Sequence, residues 1–244
     1  MRPILLFPFL AGLAAVSAFA QSLAPTPVAT PPKVRPPWEL EWAYLSKYRE
    51  ADAKLGSPGM FEKRVVFLGD SITEGWGDKD AAFFARTAYV NRGISGQTTS
   101  QMLVRFRQDV IGLRPAVVVI LAGTNDIAEN GGIITLEAIE DNLHSMVDLA
   151  RINKIRVVLA SVLPAVRYPW RPGIEPAAEI FALNQWIEGF CEKNNLVYVD
   201  YYSAMVDANR ALRPGLSGDG VHPTAEGYAI MEPLVEAAVR TALK

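Results

Sequence analysis

Four short polar segments hold most of the residues in this chain that could do covalent chemistry, and the first three directly follow short apolar runs. The first is Gly69-Asp70-Ser71-Ile72-Thr73-Glu74-Gly75-Trp76, where glycine permits a sharp turn that would lift the Ser71 hydroxyl into a cleft. The last is Asp219-Gly220-Val221-His222-Pro223-Thr224. A serine hydroxyl is a poor nucleophile until a base takes its proton, and neutral imidazole suits that task near pH 7. The imidazole needs an acceptor at its other nitrogen, and Asp219, three residues before His222, is placed to be one. Between these lie Asn91 to Thr99, with Gly96 just before a helix start where free N–H groups can bind an anion, and Gly123-Thr124-Asn125-Asp126. There Asn125 can offer its side-chain N–H₂ and Asp126 can cap or brace the turn. Taken singly, each segment also reads as ordinary capping or turn chemistry by Asp70, Thr98, Thr99, Asn125 or Asp219.

Holding such groups together requires a frame. Val65 to Leu68, Tyr89-Val90, Val117 to Leu121, Val157 to Ala160 and Leu196 to Val199 are short, β-branched apolar runs of the kind that form strands buried on both faces. Helical patterns separate them: Thr99 to Ile111, Leu136 to Asn153 and Pro176 to Asn194, with a last helix from near Thr224 to the end, kinked at Pro233. This alternation predicts right-handed βαβ crossovers and one three-layer α/β/α domain. Ligands of such sheets bind beyond the carboxyl ends of the strands, where all four polar segments fall.

In that order and spacing, the four segments resemble the blocks of the GDSL/SGNH hydrolase family, with a Ser, a Gly, an Asn and a His at the expected places. The likeness spans roughly Arg64 to the C-terminus; GDSITEGW and DGVHPT are its more specific parts. It implies a flavodoxin-like α/β/α sandwich with a mainly parallel sheet of about five strands. It also implies hydrolysis of esters or thioesters through an acyl-enzyme, with Ser71 as nucleophile, His222 as base and Asp219 steadying the imidazole. The oxyanion would be held by the backbone N–H groups of Ser71 and Gly96 and by the Asn125 side chain. No metal or cofactor is implied, and no His/Asp/Glu/Cys cluster in the sequence has ligand spacing.

Composition agrees with a globular enzyme. Half of the 244 residues are hydrophobic, and 24 basic against 26 acidic residues leave a net charge of -2 with no basic stripe, which argues against a nucleic-acid partner. Arg2, the apolar run Ile4 to Val16 and the small-x-small Ala18-Phe19-Ala20 read as a signal peptide over residues 1–20, too short for an anchoring span, so export to a periplasm or beyond is expected. Residues 21–37 form a proline-rich linker, and 38–244 the hydrolase domain. The domain begins with a helical extension at 38–60, read from Trp42, Leu45 and Tyr48 at helical spacing. The single cysteine, Cys191, rules out an internal disulfide and reads as a buried apolar residue. Of the two histidines, His144 lies mid-helix, away from any strand end.

Substrate contacts are expected from Trp76, beside the nucleophile, and from Arg167 and Trp170 in the connection Leu163 to Pro176, where Tyr168 and Arg171 also lie. Aromatic faces there could stack on a sugar ring and arginines could pair with a carboxylate or phosphate, or the same side chains could pack as a wall. Small or soluble esters, including acyl groups on carbohydrates, lead. Lysophospholipids or acyl-thioesters, and a non-catalytic glycan- or lipid-binding module, are the alternatives.

Overall fold

The computed structural model describes residues 41–85 and 88–244. The expected signal peptide and proline-rich linker lie outside the described residues. Five strands form one sheet: β1 (Val65–Gly69), β2 (Tyr89–Gly93), β3 (Val117–Leu121), β4 (Arg156–Ala160) and β5 (Val197–Val199). The sheet order is β2-β1-β3-β4-β5 and every pairing is parallel, with Val65 opposite both Tyr89 and Val117.

The strand sequences dictate two faces. Side chains alternate across a strand, so Val66 and Leu68 of β1 join Val118 and Ile120 of β3 in one core, while Val65, Phe67, Val117, Val119 and Leu121 join another. The first core is covered by α4 (Thr99–Asp109), α6 (Leu136–Ile152) and α7 (Ala177–Asn194), through Met102, Phe106, Leu143, Ile180 and Leu183. The second is covered by α2 (Ser71–Lys79), α3 (Ala81–Ala85) and α9 (Ala225–Ala242), through Trp76, Phe83, Tyr228, Met231 and Val235. Every residue of β1 and β3 is buried, which is why both strands read as unbroken apolar runs. Each such Val, Leu or Phe contributes about 1.5–3 kcal/mol by leaving water.

Helix starts follow the capping rules. Thr135 and Thr224 accept from the N–H groups of Ala138 and Gly227, and Asp200 caps the short α8 (Tyr201–Met205) through Ser203 N–H. α9 continues past Pro233 to Ala242 as one element, although proline cannot donate to the carbonyl four residues earlier. No helix among the described residues is long and apolar enough to cross a membrane.

The N-terminal extension differs from expectation. Its helix, α1, covers only Arg49–Leu55, and residues 42–48 are successive turns, with Tyr44 at φ 51°. A residue in that left-handed region cannot continue an α-helix. The carbonyls a helix would use internally are instead taken by side chains of the domain: Gln101 Nε2 donates to Trp42 O at 2.7 Å, Gln97 Nε2 to Ala43 O at 2.8 Å and Gln108 Nε2 to Leu45 O at 2.6 Å. The extension docks as a strap rather than as an amphipathic helix. Arg92 of β2 fastens it further, with Nε 2.8 Å from Asp52 Oδ1.

Candidate active site

From β1 the chain passes to β2 on one side and then crosses to β3 on the other, so the connections after β1 and β3 diverge and leave a crevice at the carboxyl ends of these two strands. Ser71 opens α2 directly after β1, and Asn125 lies in the short α5 (Thr124–Ile127) directly after β3. The turn into α2 is tight. Asp70 caps the helix by accepting from Ile72 N–H at 2.9 Å, and a Cβ at Gly93 would stand 2.1 Å from the Glu74 nitrogen, so only glycine lets β2 and α2 approach this closely.

The loop before α9 brings His222 to the same place. Ser71 Oγ lies 2.9 Å from His222 Nε2, and His222 Nδ1 lies 2.6 Å from Asp219 Oδ2. The other Asp219 oxygen accepts the backbone N–H groups of Val221 at 2.9 Å and His222 at 2.8 Å, so the turn presents its carboxylate to its own imidazole. Partial burial alone would raise the Asp219 carboxyl, but the hydrogen bonds from the His222 ring, His222 N–H and Val221 N–H outweigh it and hold it at about 2. An anion fixed on Nδ1–H leaves Nε2 with the lone pair that a serine proton needs.

A cleft of about 340 Å³ opens beside this chain of groups, lined by Ser71, His222, Ser95, Gly96, Asn125, Asn130 and Trp170. Gly96 has φ +78°, a conformation natural to glycine, and its loop is held from three sides. Glu74 Oε2 accepts from Ser95 N–H at 2.7 Å and Oγ–H at 2.5 Å, while Lys47 of the strap pairs with Glu74 Oε1 at 2.7 Å. Tyr48 O–H donates to Gly93 O. The fully buried Arg105 donates to Gly69 O at 2.9 Å, to Gln97 Oε1 and to Asp109 at 2.9 Å, tying the end of β1 to the Gly96 loop.

Behind the cleft, Asp126 accepts from Thr99 N–H at 2.9 Å and Thr99 Oγ1–H at 2.6 Å, which pins α5 to the start of α4. Burial pushes the Asp126 carboxyl up, against the lowering effect of those Thr99 bonds. Burial likewise pushes Asp70 up to about 6, opposed by its Ile72 bond and by nearby His222.

The expected site residues divide clearly. Ser71, Asp219, His222, Gly96 and Asn125 come together, and Trp170 joins them as a cleft wall, its ring centroid 5.9 Å from that of His222. Trp76 does not. It is 2 % exposed, stacked on Phe83 at 4.7 Å and on Tyr228 at 5.3 Å beneath α2. Five residues of helix separate it from Ser71, a rotation of roughly 140° that turns it toward the core. Arg167 does not line the cleft either; with Tyr168 and Arg171 it borders a separate hollow of about 370 Å³. Tyr168 is buried, its hydroxyl 3.0 Å from Thr124 Oγ1, and Arg171 donates to Glu129 O at 2.9 Å, so this connection is partly the packed wall and partly the cleft rim. His144 is half-exposed beside Asp148 and Phe190. Cys191 is buried, which pushes its thiol up to about 12. The sequence reading gave no role to Glu74, Gln97, Arg105 or Asn130; Glu74 and Gln97 lie inside the polar segments singled out there, whereas Arg105 and Asn130 lie outside them.

The family model for the GDSL-like lipase/acylhydrolase family matches residues 67–230. The chain is similar to a GDSL-like lipase of Bacteroides thetaiotaomicron of known structure, with 50% identity, a TM-score of 0.81, and coverage of 83% of this chain and all (100%) of that one. It is 26% identical over 207 residues to an acetylxylan esterase of Geobacillus stearothermophilus, covering 69% of this chain and 90% of the relative. The crystal structure of an acetylxylan esterase from the same organism shares the fold at 21% identity and a TM-score of 0.59, over 72% of this chain and 94% of that one.

Proposed function

The chain belongs to the GDSL-like lipase/acylhydrolase family and is an ester hydrolase, and on that premise we propose that it removes short acyl groups from small or carbohydrate esters through an acyl-enzyme on Ser71. The observation that carries the reading is the unbroken chain from Ser71 Oγ through His222 to Asp219, at 2.9 and 2.6 Å, opening on a cleft rimmed by Gly96 and Asn125. Ser71 attacks the acyl carbonyl while His222 Nε2 takes its proton, and Asp219 stabilises the imidazolium. The negative oxygen that forms is met by the N–H groups of Ser71 and Gly96 and by Asn125 Nδ2, each worth about 2.7–4 kcal/mol of barrier if lost. His222 then returns the proton to the leaving alkoxide, and a water deprotonated by the same base releases the acid.

The substrate class rests on the cleft and on a relative. Apart from Trp170, the lining is of short side chains, glycine and His222, with no aliphatic wall, which suits an acetyl-sized acyl group better than a long acyl chain. The Trp170 face, 39 % exposed at the rim, suits a sugar ring, and one relative is an acetylxylan esterase. The apolar run Ile4 to Val16 with its small-x-small site supports export, where polymeric acetylated carbohydrate would be met.

Turnover of p-nitrophenyl acetate by Ser71→Ala should fall by at least about 10³-fold with folding intact, and wild-type protein should be labelled at Ser71 by a fluorophosphonate. Acetate release from acetylated xylo-oligosaccharides should exceed hydrolysis of octanoyl and longer p-nitrophenyl esters. Full activity in the Ser71→Ala protein, or no labelling, would overturn the nucleophile; a preference for long acyl chains would overturn the substrate class.

A further inference from the structure

A buried carboxamide can be seated in two ways related by a half-turn, and for Asn125 the two have opposite consequences. With Nδ2 toward the cleft it offers a donor to an oxyanion; with Oδ1 there it would repel one. Asn125 is 2 % exposed, and its seating is decided by its neighbours. Nδ2 donates to the Gln97 backbone carbonyl at 3.1 Å, and Oδ1 accepts from Asn130 Nδ2 at 2.6 Å. Asn130 is itself an amide with the same ambiguity, but its Oδ1 accepts from Trp170 Nε1 at 3.1 Å. Its backbone N–H also donates to Asn125 O at 3.0 Å, holding the two residues in register.

The ends of this relay are unambiguous. An indole N–H can only donate and a backbone carbonyl can only accept. Running from Trp170 through Asn130 and Asn125 to Gln97, the chain therefore admits one direction for both amides. That direction leaves the second Nδ2 hydrogen of Asn125 for the cleft.

We infer that Asn130 is a positioning residue that holds Asn125 in its donor orientation, with the Trp170 indole setting the sense of the relay. This rests on the reading of Asn125 as an oxyanion donor given above. It assigns Trp170 two tasks, a wall for the alcohol part of the substrate and the fixed end of a hydrogen-bonded chain into the site.

The test uses the full chain and p-nitrophenyl acetate. Asn130→Asp keeps size but, as a carboxylate, can only accept, so it cannot donate to Asn125 Oδ1. Its kcat should fall about 30–300-fold, approaching the loss in Asn125→Ala, with KM changed less than about threefold. In the Asn125→Ala background the same Asn130→Asp change should cost several-fold less than in wild type, because a residue that acts through Asn125 has nothing left to orient and only the direct effect of the new charge on the oxyanion remains. Should Asn130→Asp fail to fold, Trp170→Phe reads the relay from its other end: an aromatic ring stays, the N–H goes, and kcat should fall about three- to tenfold in wild type and by a clearly smaller factor in Asn125→Ala. Wild-type kcat in Asn130→Asp, or losses that multiply in the double variant, overturns the relay while leaving the oxyanion reading intact. Wild-type kcat in Asn125→Ala overturns the oxyanion reading and the relay with it.

Discussion

Replacing Asp70 with Asn should stabilise the protein at neutral pH and slow it. Asp70 is 1 % exposed at the foot of the turn into α2, and burial raises its carboxyl from an ordinary 3.8 to about 6. The folded chain thus holds this proton more tightly than the unfolded chain does. Protonation favours folding, and the benefit is fully present below about pH 3.8 and lost as pH rises through about 6. The gap of roughly two pH units is worth about 3 kcal/mol. An Asn in the same place never ionises, and its Oδ1 can still accept from Ile72 N–H as Asp70 does at 2.9 Å. At pH 8 the variant should therefore exceed wild type by about 3 kcal/mol, or about 6–12 °C in Tm for a domain of this size. Near pH 4 the two should nearly coincide. Melting both proteins by calorimetry from pH 4 to pH 8 measures the difference, with the other acidic groups common to both. Two parallel Tm curves across that range would refute the reasoning. Because the Asp70 charge also acts on His222, removing it makes the imidazolium of the transition state less favourable, and kcat at pH 8 should drop a few-fold as stability rises.

Trp76→Ala should lower stability by about 3–5 kcal/mol in a urea titration, because it empties the stack between Phe83 and Tyr228, yet leave KM for an acetyl ester unchanged; a tenfold rise in KM would return Trp76 to the cleft. Asp219→Asn should reduce kcat by up to about 10⁴-fold through loss of tautomer control. Since the Asp219 carboxyl is held at about 2, its contribution to stability is present above about 3.8 and lost only as pH falls through about 2. The Tm difference between wild type and Asp219→Asn should accordingly not shrink as pH falls from 8 to 5, and should shrink below pH 4; shrinkage already between pH 6 and pH 5 would show that the carboxylate is not held low.

The strands were legible because β1, β3 and most of β4 are buried on both faces and so spell continuous apolar words. The meeting of Ser71, His222 and Asp219 was legible because a Ser directly after one such strand and an Asp-x-x-His turn before the last helix leave few other uses for those residue types. Periodicity misled at 42–48, where Trp42, Leu45 and Tyr48 keep helical spacing but three glutamine side chains from the domain capture the backbone carbonyls. Tertiary donors overruled a local pattern. Trp76 was assigned to the cleft from its nearness in sequence to Ser71, when helical rotation already pointed it the other way. Asn130 was invisible for a different reason: its role depends on how the loop after β3 meets the connection after β4, and neither segment has a period.

What holds the cleft's polar groups together is mostly charge and directed hydrogen bonding rather than apolar packing. Arg105, wholly buried, grips Gly69 O at the end of β1 and Gln97 in the loop before α4 at once. Asp126 grips Thr99 at the start of α4, and Asp70 caps α2. Burial raises the carboxyls of Asp70, Asp109 and Asp126 alike, so each of these anions costs the folded state something near neutrality. An apolar substitute would pack without that cost, but it would fix only distance. A guanidinium fork or a capping carboxylate also fixes direction, and direction is what two loops on either side of a topological crossover need if a hydroxyl, an imidazole and the N–H donors are to meet within hydrogen-bond range.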